Sequence, residues 1–352
     1  MILKNSDNAK KKISAVITAV AVAILLAAVS IFFVHQGSQK PYNHTGFAMG
    51  SQISVTFYGK DRPETADEIL SGISTLDADL ISRKSEVSEI FRLNESGTYT
   101  LSDKTLTYLN QTLDICRHSD GALDITVGGL SALWDFDSAK NAVPAQSEIE
   151  KQLMAVGYEK VKVDGNAVTL GENQIVDLGA VGKGIACDVA GEVLKDRGVD
   201  RALLTVGGTV MTYSSSDDEK GWNVGIRTPD AGDSSAFMKI HLADTRFVST
   251  SGNYEKYFEY NGRIFHHILD TETGYPAENE LKSVTIVARN GLVSDALSTA
   301  CYVLGREKSG ALLEKYDADA IFVDKNNNVY VTEGISASCT LLNESYTVKS
   351  NG

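Results

Sequence analysis

Only five prolines, four cysteines, two tryptophans and six histidines occur in the 352 residues of this chain. So little proline beside 30 glycines excludes a Pro-rich extended or disordered chain and favours tight backbone turns. Cys116, Cys187, Cys301 and Cys339 lack the close pairing of a zinc site. Cys187 and Cys301 stand among apolar residues, as small core side chains do, and the sequence demands no disulfide. Basic residues are in deficit, 33 Lys and Arg against 46 Asp and Glu. The net charge of −13 disfavours nucleic acid and anionic lipid as partners, so any phosphate site has to be built locally. Internal repeats and low-complexity segments are absent, which excludes a solenoid. Hydrophobic content of 43% with 22% charged residues marks a globular body.

One long hydrophobic run is present. Residues 13–34, ISAVITAVAVAILLAAVSIFFV, carry no charge and follow Lys10, Lys11 and Lys12. That length spans a hydrocarbon core of about 30 Å as a helix. Lysines in front of it favour a cytoplasmic N-terminus and a body outside the cell. The run is longer than the apolar core of most signal peptides, and no small-x-small cleavage site follows it, so an uncleaved anchor is expected. The implied organisation is a cytoplasmic tail (1–12), a transmembrane anchor (13–34), a polar linker (35–45), a catalytic domain (46–345) and a C-terminal tail (346–352).

Within the body, SQISVTFYG alternates as a strand does, and residues 63–82 place Ile69, Leu70, Ile73 and Leu76 at helical spacing. Residues 102–121 read as a helix capped by Ser102 and stopped by Gly121. KVKVDGNAVTL reads as a hairpin turning at Asp164-Gly165. A helix over 181–197 ends at Gly198. RALLTV, WNVGIR, FMKIHLA, RFVSTSG, RIFHHILD and LKSVTIVA read as strands, and AIFVDKNNNVYVTEG as a closing hairpin. Strands and helices do not alternate regularly, so the fold class is α+β rather than a doubly wound sheet.

Five stretches could carry chemistry, and each also has a plain structural reading. In VDLGAVGKGIACD (176–188) a strand ends at Asp177 and glycines open a helix. Such a turn brings backbone N–H groups and a positive helix end to a phosphate, and Lys183 adds a point charge. The spacing fits neither a Walker loop nor a dinucleotide fingerprint, and a tight helix entry with a solvated lysine accounts for it equally well. In ALDITVGGLSALWDF (122–136) two glycines break a strand, and Trp134 either stacks on a flat ring or fills core. VSTSGNYEKYF (248–258) is a loop of small hydroxylated residues between strands. In FHHILDTETGYP (265–276) the two histidines point to opposite faces of a strand, so one of them can serve a site as a base near neutral pH. In SDALSTACYVLG (294–305) Asp295 and Thr299 share a helix face, with Ser298 beside them. A carboxylate and a hydroxyl are hard donors suited to Mg²⁺, which takes few protein ligands. Helix capping by Ser294 or Asp295 is the equal alternative.

Taken in order, AMGS, LDITVGGLSALW, DLGAVGKGIACD, VGGTV, TSGNY, HILDTETGYP and SDALSTA resemble the motifs of the ApbE family, the FAD:protein FMN transferases. The resemblance runs from about Phe47 to about residue 345. It implies an α+β, T-fold-like architecture and Mg²⁺-dependent transfer of FMN from FAD to a Thr or Ser of an acceptor protein, releasing AMP. It implies Mg²⁺ held by Asp295, Thr299 and the carbonyl of Ala180, with Ser298 a further metal candidate. Asp177 and Lys183 should contact FAD. Met49, Ala132, Leu133, Trp134 and the backbone near Leu269 should line its site, and His267 should act as the catalytic base. The implied partners are extracytoplasmic redox subunits bearing the acceptor residue.

Departures from the family pattern bear on this. Thr271 and Glu272 replace a Pro and a frequent Arg, Asn253 stands where Asp is common, and Lys84 occupies a position where many members carry a Tyr near the flavin. That region is linked in the family to hydrolysis of FAD to FMN and AMP, so a diphosphatase on the same site is one alternative. A flavin-binding surface protein without turnover is another. The family's acceptor pattern, roughly D-x-x-[ST]-[GS]-A-[ST], is only brushed by DALSTA and DTETGYP, so self-modification is not expected.

Overall fold

A computed structural model of the chain describes residues 41–58, 62–138, 141–215, 221–230 and 232–349. The proposed tail and anchor (1–34) lie outside these residues. Among the described residues no helix is long and apolar enough to cross a membrane.

In chain order the first half runs β1 (Tyr42–Ala48), β2 (Ser51–Tyr58), α1 (Arg62–Thr75), a π-helical turn (Leu76–Ile81), α2 (Glu89–Ser96), β3 (Thr98–Thr100), α3 (Asp103–His118), α4 (Gly128–Trp134), α5 (Gln146–Leu153), β4 (Lys162–Asp164), β5 (Ala167–Thr169) and α6 (Gly182–Asp196). The second half runs β6 (Arg201–Val206), β7 (Thr209–Ser214), β8 (Trp222–Arg227), β9 (Ala236–Leu242), β10 (Arg246–Gly252), β11 (Tyr257–Tyr260), β12 (Arg263–His266), β13 (Leu281–Ala288), α7 (Gly291–Leu304), α8 (Gly310–Lys315), β14 (Asp319–Asp324), β15 (Asn328–Val331), α9 (Glu333–Ser336), β16 (Cys339–Leu341) and β17 (Thr347–Lys349).

Nine strands form one sheet in the order β1-β2-β6-β7-β10-β13-β14-β15-β17. Its central strands bury both faces, which explains why LKSVTIVA is a nearly continuous β-branched run. Val284, Ile286 and Phe322 face a core shared with α1, α6 and α7. Their neighbours Val287, Ile321 and Val323 face a second core, covered by the small sheet β16-β9-β8 through Ile226, Phe237 and Ile240. The sheet is therefore sandwiched between helices and a smaller sheet, a mixed α/β arrangement. A third cluster, around Trp134, Phe258 and Phe265, ties hairpin β11–β12 to α4.

Several elements depart from the sequence reading. The linker assigned to 35–45 ends sooner: residues 42–45 already pair with β2, from Tyr42 opposite Phe57 onward. Residues 346–349 of the tail assigned to 346–352 are held to the body. Tyr346 is buried, stacks on Phe237 with centroids 4.5 Å apart, and leads β17 into parallel pairing with β15. Residues 63–82 are not one uniform α-helix, because the last turn loosens to π geometry and Ser82 N–H donates to the Asp77 carbonyl. The hairpin turn falls one residue late, on Gly165-Asn166. Only Gly165 has positive φ, so it is not the type I′ turn that Asp-Gly suggests. The strand read over RFVSTSG is β10, Arg246–Gly252, so the loop read over 248–258 begins only after Gly252.

No strand ends at Asp177 and none precedes Gly128. These two buried segments meet instead in a single parallel bridge, Val127 to Ile175. The Asn94 side chain substitutes for a neighbouring strand there, donating to the Val176 carbonyl (2.9 Å) and accepting from its N–H (2.8 Å). Buried backbone has to find partners, and one amide side chain supplies both.

Helices α6 and α7 meet at their N-termini. A Cβ on Gly184 would sit 2.0 Å from the Gly291 carbonyl oxygen, and one on Gly291 would sit 2.2 Å from that of Gly184. Gly184→Ala and Gly291→Ala should each lower stability by about 3 kcal/mol, since backbone rather than a flexible side chain has to move. Urea denaturation is the check. Gly310→Ala, whose added Cβ meets nothing within 4 Å, serves as the control.

Candidate active site

A cavity of about 1060 Å³ opens over the α6 N-terminus, walled by the β1–β2 turn, the π-helical turn, β10, α7 and the segments around Asp137, Asp177 and His267. It lies at the upper end of the range for small-molecule sites, so it suits a large ligand.

One wall is α6 itself. Gly182 and Lys183 open the helix and Gly179 and Ala180 precede it; all four line the cavity. Fifteen residues of helix place a positive partial charge there. The β1–β2 turn forms the lip. Met49 and Gly50 both have positive φ, as a type I′ turn requires. For methionine this conformation costs about 1–2 kcal/mol. It is held by the Met49 N–H donating to Asp77 Oδ2 (3.2 Å) from the π-helical turn. Strain maintained at a cavity lip points to function.

Asp295 sits in the second turn of α7, and it is not the cap. Asn290 caps the helix, accepting from the Val293 N–H at 2.9 Å. Asp295 is only 5% exposed, yet it lines the cavity. Its Oδ2 accepts from the Gly184 N–H (2.9 Å) and its Oδ1 from the Thr209 hydroxyl (3.3 Å). Thr299 lines the cavity one turn on, and its hydroxyl lies 3.3 Å from that of Ser251.

His267 does not lie on the strand assigned to RIFHHILD, because β12 stops at His266. The His267 N–H still donates to the Lys256 carbonyl (3.0 Å), and its side chain lines the cavity. Its Nδ1 is buried with no hydrogen-bond partner among the described residues. Burial, then Lys183, Lys256 and His266, push its pKa down to about 4. The ring is therefore neutral at pH 7 and able to accept a proton. His266 turns away, with Nε2 3.1 Å from the Ala277 carbonyl and its ring edge-on to Tyr302.

Among the remaining sequence candidates, Asp177, Lys84 and Leu269 also line the cavity. Asp177 pairs with Arg83 at 2.7 Å. Lys84 and Lys256 converge on Asp137 from opposite sides, at 3.0 and 2.7 Å, and hold its carboxyl down at about 2. Four candidates are not brought to the cavity. Ala132 is exposed, and Leu133 packs against the third cluster. Trp134 is 2% exposed, stacks on Phe136 and Phe265 and donates to the Gly274 carbonyl (2.8 Å), so it is core. Around them Ser131, Asp135 and Phe136 reach the cavity instead. Ser298 is 1% exposed, and its hydroxyl bonds back to the Asp295 carbonyl (2.8 Å) and to Ser251 (2.7 Å).

The sequence reading missed Arg83, Asp137, Arg227, Ser251 and Lys256, all of which line the cavity. The only signals were Arg83 beside Lys84 and Ser251 within TSG. With Lys84 and Lys183, Arg83, Arg227 and Lys256 put five cations on a cavity that seven carboxylates also line, so its charge is mixed, and an anionic ligand would be met at particular groups such as Lys183 at the α6 N-terminus. Three or more His, Cys, Asp or Glu never cluster as a metal site among the described residues. The donor set is one carboxylate, the Thr299 hydroxyl and the Ala180 carbonyl, all on one cavity. Hard, few and mostly neutral, it fits Mg²⁺ completed by substrate oxygens and does not fit zinc.

The ApbE family model matches residues 49–322. A relative from Klebsiella pneumoniae (strain 342), described as an FAD:protein FMN transferase, is 30% identical over 298 residues, covering 83% of this chain and 92% of its own. One of the same description from Escherichia coli (strain K12) is 29% identical over 335 residues, covering 88% and 94%. Among solved structures, the ApbE protein of Thermotoga maritima superposes with a TM-score of 0.76 at 28% identity, covering 84% of this chain and 98% of its own. The flavin transferase ApbE of Vibrio cholerae gives 0.75 at 25% identity, covering 85% and 99%.

The two buried imidazoles make stability depend on pH. His266 and His267 titrate near 4 when folded against 6.5 when free. The unfolded chain therefore binds both protons first as pH falls. Stability contributed above pH 6.5 is lost toward pH 4, by about 1.4 kcal/mol per pH unit for each ring. Asp188 works the other way: burial pushes its folded carboxyl up to about 6 from 3.8, so it gains stability over much of that interval. Urea midpoints from pH 7 to 4 should fall in the wild type and fall distinctly less in His267→Asn. Equal slopes would show that His267 protonates freely in the folded state.

Proposed function

The chain belongs to the ApbE family, and from that membership and the cavity's chemistry we propose that it is an FAD:protein FMN transferase. The finer reading is that it moves FMN from FAD to a Thr or Ser hydroxyl of an extracytoplasmic acceptor protein, releasing AMP. The observation that carries it is one cavity bearing a buried carboxylate, a neutral histidine with an unpartnered Nδ1 and a helix N-terminus with its lysine.

The FAD diphosphate would sit at the α6 N-terminus, where backbone N–H groups and Lys183 meet negative charge. Asp177 and the Met49 lip would hold the nucleotide from the sides. Asp295, Thr299 and the Ala180 carbonyl would hold Mg²⁺, which neutralises charge on the reacting phosphoryl oxygens when bound. His267 would take the proton of the acceptor hydroxyl as that oxygen attacks the FMN phosphorus. The P–O bond to the AMP half breaks, and AMP leaves with the electron pair. Residues 13–34, uncharged behind three lysines, support a single-pass anchor with the catalytic body outside the cytoplasm.

Asp295→Ala should abolish Mg²⁺-dependent turnover of FAD at limiting Mg²⁺. His267→Ala should keep FAD binding, measured by flavin fluorescence, while losing transfer by about 10²–10⁴-fold. Incubation with FAD, Mg²⁺ and a carrier protein bearing the family's acceptor pattern should give flavin fluorescence covalently on the carrier. Free FMN alone would replace transfer by hydrolysis, and FAD left intact would indicate a binding protein.

A further inference from the structure

We propose that the outer edge of β11 is the docking strand for the acceptor polypeptide, which adds to hairpin β11–β12 as an extended third strand and is led along it to His267. This rests on the transfer reading above.

The hairpin register fixes which backbone groups are free. Tyr257 faces His266, Phe258 faces Phe265, Glu259 faces Ile264 and Tyr260 faces Arg263, across an Asn261-Gly262 turn with both φ positive. The next pair toward the cavity is Lys256 and His267, joined by the His267 N–H to the Lys256 carbonyl. Bonded pairs alternate in an antiparallel ladder. Lys256, Phe258 and Tyr260 therefore turn their backbone groups toward β12, while Tyr257 and Glu259 turn theirs outward. No backbone partner meets those outward groups among the described residues. The opposite edge is flanked by residues 276–278, where the His266 ring meets the Ala277 carbonyl, Arg263 pairs with Glu278 and Leu269 bridges Pro276.

An uncovered edge strand is normally blunted by shortness, by charge, by proline or by a covering segment, and of these β11 has its four-residue length and Glu259. Here the edge reads Tyr-Phe-Glu-Tyr, and Lys256 at its root is drawn aside onto Asp137. Phe258 and Phe265 anchor one face to Trp134. On the other face Tyr257 and Ile264, diagonal neighbours, are 41% and 54% exposed. The hairpin is thus rigid on its inner face and unsatisfied along its edge, the pattern of a β-augmentation site.

What selects a polypeptide as occupant is continuity with the site. The strand pair that presents the free edge runs directly into Lys256 and His267, both cavity-lining. A chain paired with Tyr257 and Glu259 travels two strand spacings, roughly 10 Å, from the His267 backbone. Its continuation past Lys256 brings a hydroxyl-bearing side chain to the cavity mouth. Backbone pairing also suits acceptors that share little sequence.

The test uses the protein with FAD, Mg²⁺ and a carrier fused to Asp-Ala-Ala-Thr-Gly-Ala-Thr. Glu259→Pro removes an outward N–H without touching the β11–β12 ladder. It should lower kcat/KM for the carrier about tenfold, as expected for losing one to two backbone hydrogen bonds. Glu259→Ala should leave it unchanged, and both should bind FAD as the wild type does. Should Glu259→Pro lose FAD binding, showing a disturbed hairpin, Tyr257→Asp with Ile264→Asp decides: reduced labelling with intact FAD binding supports the docking edge. Wild-type labelling by Glu259→Pro, or by that double variant, overturns it. A wild type that never labels the carrier overturns the transfer reading and this inference together.

Discussion

Everything at the cavity depends on a reciprocal contact between two helix ends. Asp295, on α7, accepts from the Gly184 N–H of α6; Asp188, on α6, accepts from the N–H groups of Gly291 and Leu292 of α7 at 2.8 and 2.9 Å. Two helix N-termini brought together repel, since each carries positive partial charge. A carboxylate from each, aimed at the end of the other, neutralises that repulsion. Only glycine lets the backbones approach so closely. The arrangement has a cost: Asp188, enclosed and near Asp295 and Glu192, is held with its pKa well above the usual range.

From that contact the rest of the site takes its positions. Asp295 is fixed in one rotamer by Gly184 and Thr209, and each carboxylate oxygen retains a lone pair for a cation. Below it a buried chain of hydroxyls ties α7 to the sheet, Ser249 to Ser294 at 2.8 Å and Ser251 to Ser298 at 2.7 Å. Ser298 therefore works toward the sheet rather than toward the cavity, and Thr299, its neighbour, keeps the cavity face. Because α6 is locked against α7, Lys183 and the turn before it are held over the same space.

How much of this was legible in the sequence follows from which interactions are periodic. Strand β13 announces itself because a sheet covered on both faces favours β-branched residues along it, and β6 and β8 because burial alternates residue by residue along each. Asp295 and Thr299 were legible as a pair because a helix puts i and i+4 on one face. The segment ending at Asp177 was misread as a strand: its residues are as buried as a strand's, but it makes a single bridge, to Val127, and its Val176 backbone is satisfied by the Asn94 side chain 82 positions away. Trp134 stayed open between ligand and core for the opposite reason. An aromatic beside a glycine loop looks the same whether it meets a ligand or Phe136 and Phe265, and only the tertiary neighbours decide. Arg83, Arg227 and Lys256 are single charges in separate segments, and nothing local marks them as one electrostatic unit.

That unit bears directly on the histidine. In the free cavity Lys183 and Lys256 add to burial in holding His267 neutral, so it begins as a weak base. On the transfer reading the diphosphate brings negative charge against those same lysines. It neutralises the groups that depress the imidazole and adds charge that favours its protonated form. The base would thus strengthen when FAD occupies the site, in step with the arrival of the bond it helps to break. A histidine already basic in the empty cavity would be protonated at mildly acid pH and could not take up the acceptor's proton. Burial beside Lys183 and Lys256 keeps the ring neutral, and on the transfer reading the substrate's own charge would set the timing.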